Sequence, residues 1–266
     1  RVRFEREARA MSKLSHPCCV SVIDFGVSHA PYIVMDYVTG RTLADLVGKG
    51  PLPVTRALKI ILKILAGPAH AHNQGIIHRD IKPGNIMLAH EDGIVPKIVD
   101  FGLARMGTAS TLSVSGYAMG TPFYMSPEQA MSRRIEIDHR TDIYSLAATM
   151  YEMLTHRPPF KGKDHQDTLS QIIERDPVQP RKLNARIPKD LETIVLKCLR
   201  KNVIDRYGTA EALGQDLRRF VRGDPIEARQ RPRWEVLSRR MWRHRRPILA
   251  ASLAVVLPGL ALRARD

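Results

Sequence analysis

The segment His78-Arg79-Asp80-Ile81-Lys82-Pro83-Gly84-Asn85, followed by Asp100-Phe101-Gly102, constrains the fold of this chain more than any other stretch. It sets a carboxylate, an amine and a carboxamide close together in sequence and adds a second carboxylate further on. Two short apolar runs, Asn85 to Leu88 and Lys97 to Val99, separate them and flank a His90-Glu91-Asp92-Gly93 turn. The pattern predicts a small hairpin with the polar segments at its two ends. Only a fold that brings those ends side by side makes one site of these four side chains.

Around this hairpin the chain reads as sheet first and helix afterwards. Phe4, Ala8, Met11 and Leu14 recur at helical spacing over residues 3 to 14, and His16-Pro17 stops the pattern. The run from Cys19 to Phe25, the turn at Gly26 and the run from Pro31 to Asp36 predict two antiparallel strands. From Thr42 onward the spacing is helical, over Leu43 to Val47 and then over Thr55 to His72. Residues 103 to 125 hold Ser, Thr and Gly with little periodicity, which predicts a long functional loop. Helices are expected near 139 to 155, 163 to 175, 188 to 199 and 208 to 221, with the domain ending near Arg222.

In-line phosphoryl transfer needs a carboxylate to accept a hydroxyl proton, cations against phosphate oxygens, and metal ions on oxygen ligands. Asp80 can serve as the base and Lys82 as a point charge on phosphate, while Asn85 and Asp100 can present hard oxygens to Mg²⁺. With these residues on the page, residues 1 to 222 resemble a protein serine/threonine kinase. The segment from His78 to Asn85 resembles its catalytic loop, with Lys82 two positions after Asp80 as in the serine/threonine branch. Asp100-Phe101-Gly102 resembles the magnesium loop, Ser126-Pro127-Glu128 the close of the activation segment, and Gly120-Thr121-Pro122 the substrate loop.

The resemblance implies an α+β, protein-kinase-like fold: a small-lobe remnant of helix and two strands over 1–34, a mainly helical large lobe over 35–222, a basic juxtamembrane linker over 223–246 and a membrane segment over 247–262. It implies ATP with Mg²⁺ or Mn²⁺ as cofactors and Ser/Thr-containing proteins as substrates. Met35 resembles the gatekeeper, Asp36 to Val38 the hinge to adenine, and Met87 and Val99 the apolar surfaces against the base. Glu7 matches the helix glutamate that pairs an ATP-binding lysine. Asp142 matches the holder of the catalytic loop backbone and Arg206 the partner of Glu128. Met11, Val22, His78 and Phe101 match a stacked column. Arg79 implies a loop gathered by phosphorylation, with Thr108, Ser110, Thr111, Ser113 and Ser115 as candidates, the last three mid-loop, and self-association for autophosphorylation in trans. Thr121 is expected against Asp80 and Lys82.

A kinase also requires a glycine-rich loop and a strand lysine ahead of Glu7, and neither stands in this sequence. The expectation is an N-terminally truncated kinase, weak or inactive as an isolated fragment. The other reading is a kinase-fold scaffold that binds partner proteins.

Charge bears on the other end. Of a net +15, residues 222 to 246 contribute nine arginines against Asp224, Glu227 and Glu235, and Pro247 to Leu262 follows without a charged residue. Trp234 and Trp242 among the arginines suit a membrane interface, and the positive-inside rule then places residues 1 to 246 in the cytoplasm. The expectation is a single-pass protein of a bacterial inner membrane with no nucleic-acid partner. Its rival is a soluble or peripheral protein whose arginines bind nucleic acid or anionic lipid. Three cysteines, two of them adjacent, make neither a disulfide framework nor a CxxC metal pair. His70 and His72 read as helix histidines rather than a metal pair, since no third ligand stands near.

Overall fold

The computed structural model describes residues 2–90, 94–101, 122–131 and 137–228. The chain divides into one unit over Arg1–Ala228 and a second over Arg229–Asp266. The second unit, with most of the arginine cluster and the whole apolar run, lies outside the described residues. Among the described residues no helix is long and apolar enough to cross a membrane.

Helix α1 spans Val2–Met11 and turns Phe4, Ala8 and Met11 inward. Strands β1 (Val22–Val27) and β2 (Pro31–Met35) pair antiparallel, with a bulge between Val22 and Asp24. A second sheet holds β3 (Gly40–Thr42), β4 (Ile86–His90) and β5 (Ile94–Ile98) in that order, all antiparallel. The β4–β5 hairpin predicted from the two apolar runs is present, with Ile86 opposite Ile98. Cys19 bridges to Ile98, which joins the segment after α1 to this hairpin.

Thr42 ends β3 and caps α2 (Leu43–Val47): its hydroxyl accepts from Asp45 N–H while the Asp45 carboxylate accepts from Thr42 N–H. The spacing predicts one helix over 55 to 72, and the structure divides it at Leu65 into α3 (Val54–Ile64) and α4 (Ala66–Asn73). Pro68 is the cause, because it has no N–H to donate to the Ile64 carbonyl. Gly67 sits at the break and lets the segment at Cys18 and Cys19 approach closely, since a Cβ there would lie 3.2 Å from Cys19 Sγ.

Helix α5 (Pro127–Ala130) is a single turn. Helix α6 (Arg140–Thr155) is buried on every side from Thr141 to Tyr151, the mark of a central core helix. Around it lie α7 (His165–Glu174), α8 (Pro180–Leu183), α9 (Lys189–Cys198) and α10 (Ala210–Arg222). Gly223, at φ 79°, ends α10 in the left-handed conformation expected of a helix stop. Beyond it the chain folds back: the fully buried Asp216 carboxylate accepts from Glu227 N–H and Ala228 N–H and from the Tyr207 hydroxyl.

Candidate active site

Three polar atoms converge on Asp142, which α6 presents at zero exposure. Its Oδ2 accepts from His78 N–H at 2.8 Å and lies 2.8 Å from His72 Nε2, and its Oδ1 accepts from Arg79 N–H at 2.8 Å. Carboxylate oxygens only accept, so His72 Nε2 carries the proton. His78 is buried between two partners: its Nδ1 accepts from Asp80 N–H at 3.2 Å, which leaves Nε2 to donate to the Val99 carbonyl at 2.9 Å. Burial pushes this imidazole below its usual range, against the opposing pull of Asp142. The ring therefore bolts the first polar segment to the strand end that carries the second.

The loop after His78 delivers the reactive groups. Lys82 Nζ lies 2.7 Å from Asp80 Oδ2, and Asn85 Nδ2 donates to the same oxygen and to the Asp80 carbonyl, both at 2.9 Å. No described residue donates to Asp80 Oδ1 or to Asn85 Oδ1. Pro83–Asn85 forms a 3-10 turn that seats Asn85 just ahead of β4, and Val99 N–H donates to the Asn85 carbonyl at 3.0 Å. That bond places Asp100, the next residue after Val99, beside Asn85. The side chains of Asp80, Lys82 and Asn85 thus meet one another, with Asp100 following the strand residue bonded to Asn85.

Asp100 adopts φ 62° and Arg79 φ 68°, left-handed conformations uncommon outside glycine. Phe101 is buried with its ring 4.5 Å from that of His78. On its other side Phe101 joins Met11, Leu14, Val20, Val22 and Met35 around an apolar cavity that Asp100 also lines. Of the expected column, His78 and Phe101 are in ring contact, and Met11, Val22 and Phe101 line one cavity. Asp36 N–H donates to the Ser21 carbonyl, and Val38, Met87 and Val99 are each half-buried. The Glu7 backbone lies on α1, but its side chain is outside the described residues. So are Gly102, Thr108, Ser110, Thr111, Ser113, Ser115 and Thr121.

Helix α5 is fixed to α6. Arg206 grips Glu128 through Nη1–Oε1 and Nη2–Oε2, each 2.7 Å, with both side chains almost fully buried. Thr141 donates its hydroxyl to Glu128 Oε1 at 3.0 Å, and Ser126 Oγ lies 2.5 Å from Thr141 Oγ1. Burial pulls the Glu128 pKa upward, but Arg206 and Thr141 outweigh it and hold the carboxyl below its usual range.

Two residues of the site escape sequence reasoning. His72 falls on an unremarkable helix face, and its partner lies 70 residues away. Gln129 donates from Nε2 to the Arg79 carbonyl at 2.7 Å across 50 residues. His70 does not join His72: it contacts Gln74 and stacks on His16.

A small sheet region and a mainly helical region, a loop carrying His78 to Asn85, and the buried Glu128–Arg206 pair are the features of a protein kinase fold. The chain belongs to the protein kinase domain family, which matches residues 2–217. Serine/threonine-protein kinase PknB of Mycobacterium tuberculosis is 41% identical to it over 235 residues, 85% of this chain and 37% of that protein. A probable serine/threonine-protein kinase of Clostridium perfringens is 40% identical over 225 residues, 84% of this chain and 32% of that protein. The chain therefore spans about a third of the length of these bacterial relatives. Among solved structures, Rad53 1-466 in complex with AMP-PNP superposes with a TM-score of 0.66 at 28% identity, covering 79% of this chain and 53% of that one.

Proposed function

We propose that this chain carries the catalytic machinery of a protein serine/threonine kinase, moving the γ-phosphate of ATP to Ser and Thr hydroxyls of proteins. The observation that carries the reading is the state of Asp80. Lys82 and Asn85 both hold its Oδ2, which fixes the carboxylate and leaves Oδ1 without a described donor.

In this mechanism Asp80 Oδ1 accepts the proton of the substrate hydroxyl as that oxygen bonds to phosphorus. The bond from phosphorus to the bridging oxygen breaks, and ADP leaves with the electron pair. Lys82 offsets charge on the transferring group. The donor set fits a hard divalent cation: Asn85 spends both amide N–H groups on Asp80, so Oδ1 remains for Mg²⁺ or Mn²⁺ together with the Asp100 carboxylate. Bound metal would neutralise phosphate charge. Met35, Asp36, Val38, Met87 and Val99 offer the adenine surfaces, and Glu7 the partner of a phosphate-binding lysine.

The test is Mg²⁺-dependent transfer of labelled phosphate from ATP to a Ser/Thr protein by the full-length protein. Asp80→Asn should lower kcat by about 10²- to 10⁴-fold, and undiminished activity in that variant would refute the base.

Two finer readings belong to the same proposal. The loop over 103–121 takes phosphate in trans at Thr111, Ser113 or Ser115, gathered by Arg79, as phosphopeptide mapping of an active form would reveal. The arginine cluster and the uncharged run from Pro247 to Leu262 attach the protein to an inner membrane with the kinase unit in the cytoplasm. Recovery of the full-length protein in a salt- and detergent-free soluble fraction would overturn the membrane reading.

A further inference from the structure

Asp80 projects from a peptide plane formed by the Arg79 carbonyl and its own N–H. The N–H end of that plane is held by His78 Nδ1 at 3.2 Å, and the carbonyl end by Gln129 Nε2 at 2.7 Å. Arg79 turns the chain into this plane at φ 68°, and a non-glycine residue persists there only when its surroundings over-determine it. Asp142 restrains the preceding plane through Arg79 N–H. Gln129 is thus the one described side chain that restrains the rotation of the Asp80 plane from its oxygen end.

The orientation of the Gln129 amide is settled by its partners. Oε1 accepts from Ser126 N–H at 3.0 Å and lies 3.1 Å from Ser126 Oγ, in the capping box that starts α5. A backbone N–H only donates and a carbonyl only accepts, so a flipped amide would set donor against donor at Ser126 and acceptor against acceptor at Arg79. Oε1 belongs to α5 and Nε2 to the loop of Asp80. Ser126 also continues through Thr141 to the Glu128–Arg206 pair. One amide therefore joins the Ser126–Gln129 turn to the peptide that aims the base.

We propose that Gln129 is a positioning residue for Asp80, so that seating of the Ser126–Gln129 turn sets the aim of the carboxylate. The inference rests on the reading of Asp80 as the base. A change that lifts the turn from α6 withdraws Nε2 from Arg79 and lets the Asp80 plane rotate, even where Lys82 and Asn85 are untouched.

Two variants of the full-length protein test this. Gln129→Glu keeps an oxygen for Ser126 N–H but faces the Arg79 carbonyl with a second acceptor, and Gln129→Met loses both contacts. For Gln129→Glu at pH 8, kcat is expected to fall about tenfold, as loss of one well-formed hydrogen bond implies, with KM for ATP unchanged. Between pH 8 and pH 6 its kcat relative to the parent should climb, because the protonated acid can donate O–H where the amide donated N–H. Gln129→Met should show no such recovery. Amide exchange over residues 76–85 should be faster than in the parent for both variants at pH 8. Unchanged kcat for Gln129→Glu, unchanged exchange over 76–85, or a kcat loss in both variants that ignores pH and follows melting temperature would each overturn the proposal. A parent protein that transfers no phosphate would refute the kinase reading instead, and the exchange measurement would still decide the role of Gln129.

Discussion

Arg206 meets Glu128 as a fork meets a fork, two parallel bonds of 2.7 Å between side chains that are 0% and 2% exposed. The remaining donors of the guanidinium are also used: Nε donates to the Arg200 carbonyl, and the terminal nitrogens donate to the carbonyls of Arg140 and Lys201. The Tyr144 ring lies 4.9 Å from the guanidinium carbon. A buried pair repays its desolvation only with satisfaction of this kind.

Removal of one partner is accordingly severe. Arg206→Met should cost about 3 to 5 kcal/mol of stability, read as a lower urea midpoint, and Glu128→Gln combined with it should recover part of the loss. Because Glu128 titrates below its unfolded value, its contribution is complete above the ordinary carboxylate range and disappears as pH falls through the lowered folded pKa. The Arg206→Met variant should lack that acid-side slope.

His78 gives a dependence of the same sign in a higher pH window. Burial favours its neutral form, so the unfolded chain binds a proton more readily than the folded one. Stability should therefore decline as pH drops below about 6.5, the unperturbed histidine value, and continue to decline toward the lower folded pKa. Urea midpoints at pH 7.5, 6.5 and 5.5 would measure the slope, and His78→Asn should flatten it.

Asp142→Ala removes one carboxylate and strands the His78 and Arg79 amides and the His72 ring. At about 1 to 3 kcal/mol for each buried group left unsatisfied, the variant should lose at least about 3 kcal/mol, together with phosphate transfer. A fully stable Asp142→Ala protein would contradict this account of the loop.

Gly40 stands at φ 144°, and a Cβ there would lie 2.3 Å from the Leu88 carbonyl oxygen. Gly40→Ala should destabilise the protein by about 2 kcal/mol or more, through left-handed strain and a backbone clash. Differential scanning calorimetry would detect it as a lower Tm.

Much of the large lobe is legible in the sequence because helices such as α9 and α10 carry their apolar residues at local spacing. The β4–β5 hairpin is legible for the same reason. Strand β3 is not: Gly40-Arg41-Thr42 has no period of its own and becomes a strand only when β4 offers it Met87 to Ala89. At the site, Asp80, Lys82 and Asn85 are readable because their bonds run within a few residues. His72 and Gln129 are hidden because their partners lie 70 and 50 residues away and neither residue type stands out in a helix. The break at Leu65 was written in Pro68, whose missing donor outweighs the surrounding apolar period.

Two of the three described non-glycine residues in the left-handed region, Arg79 and Asp100, carry a further consequence. Each holds a conformation that costs an ordinary L-residue about 1 to 2 kcal/mol, and asparagine or glycine would adopt it more readily. A selection for heat resistance would therefore keep returning Arg79→Asn and Asp100→Gly. At Asp100 the same change discards a metal ligand of the proposed mechanism, so survivors chosen for endurance would include proteins that have stopped working.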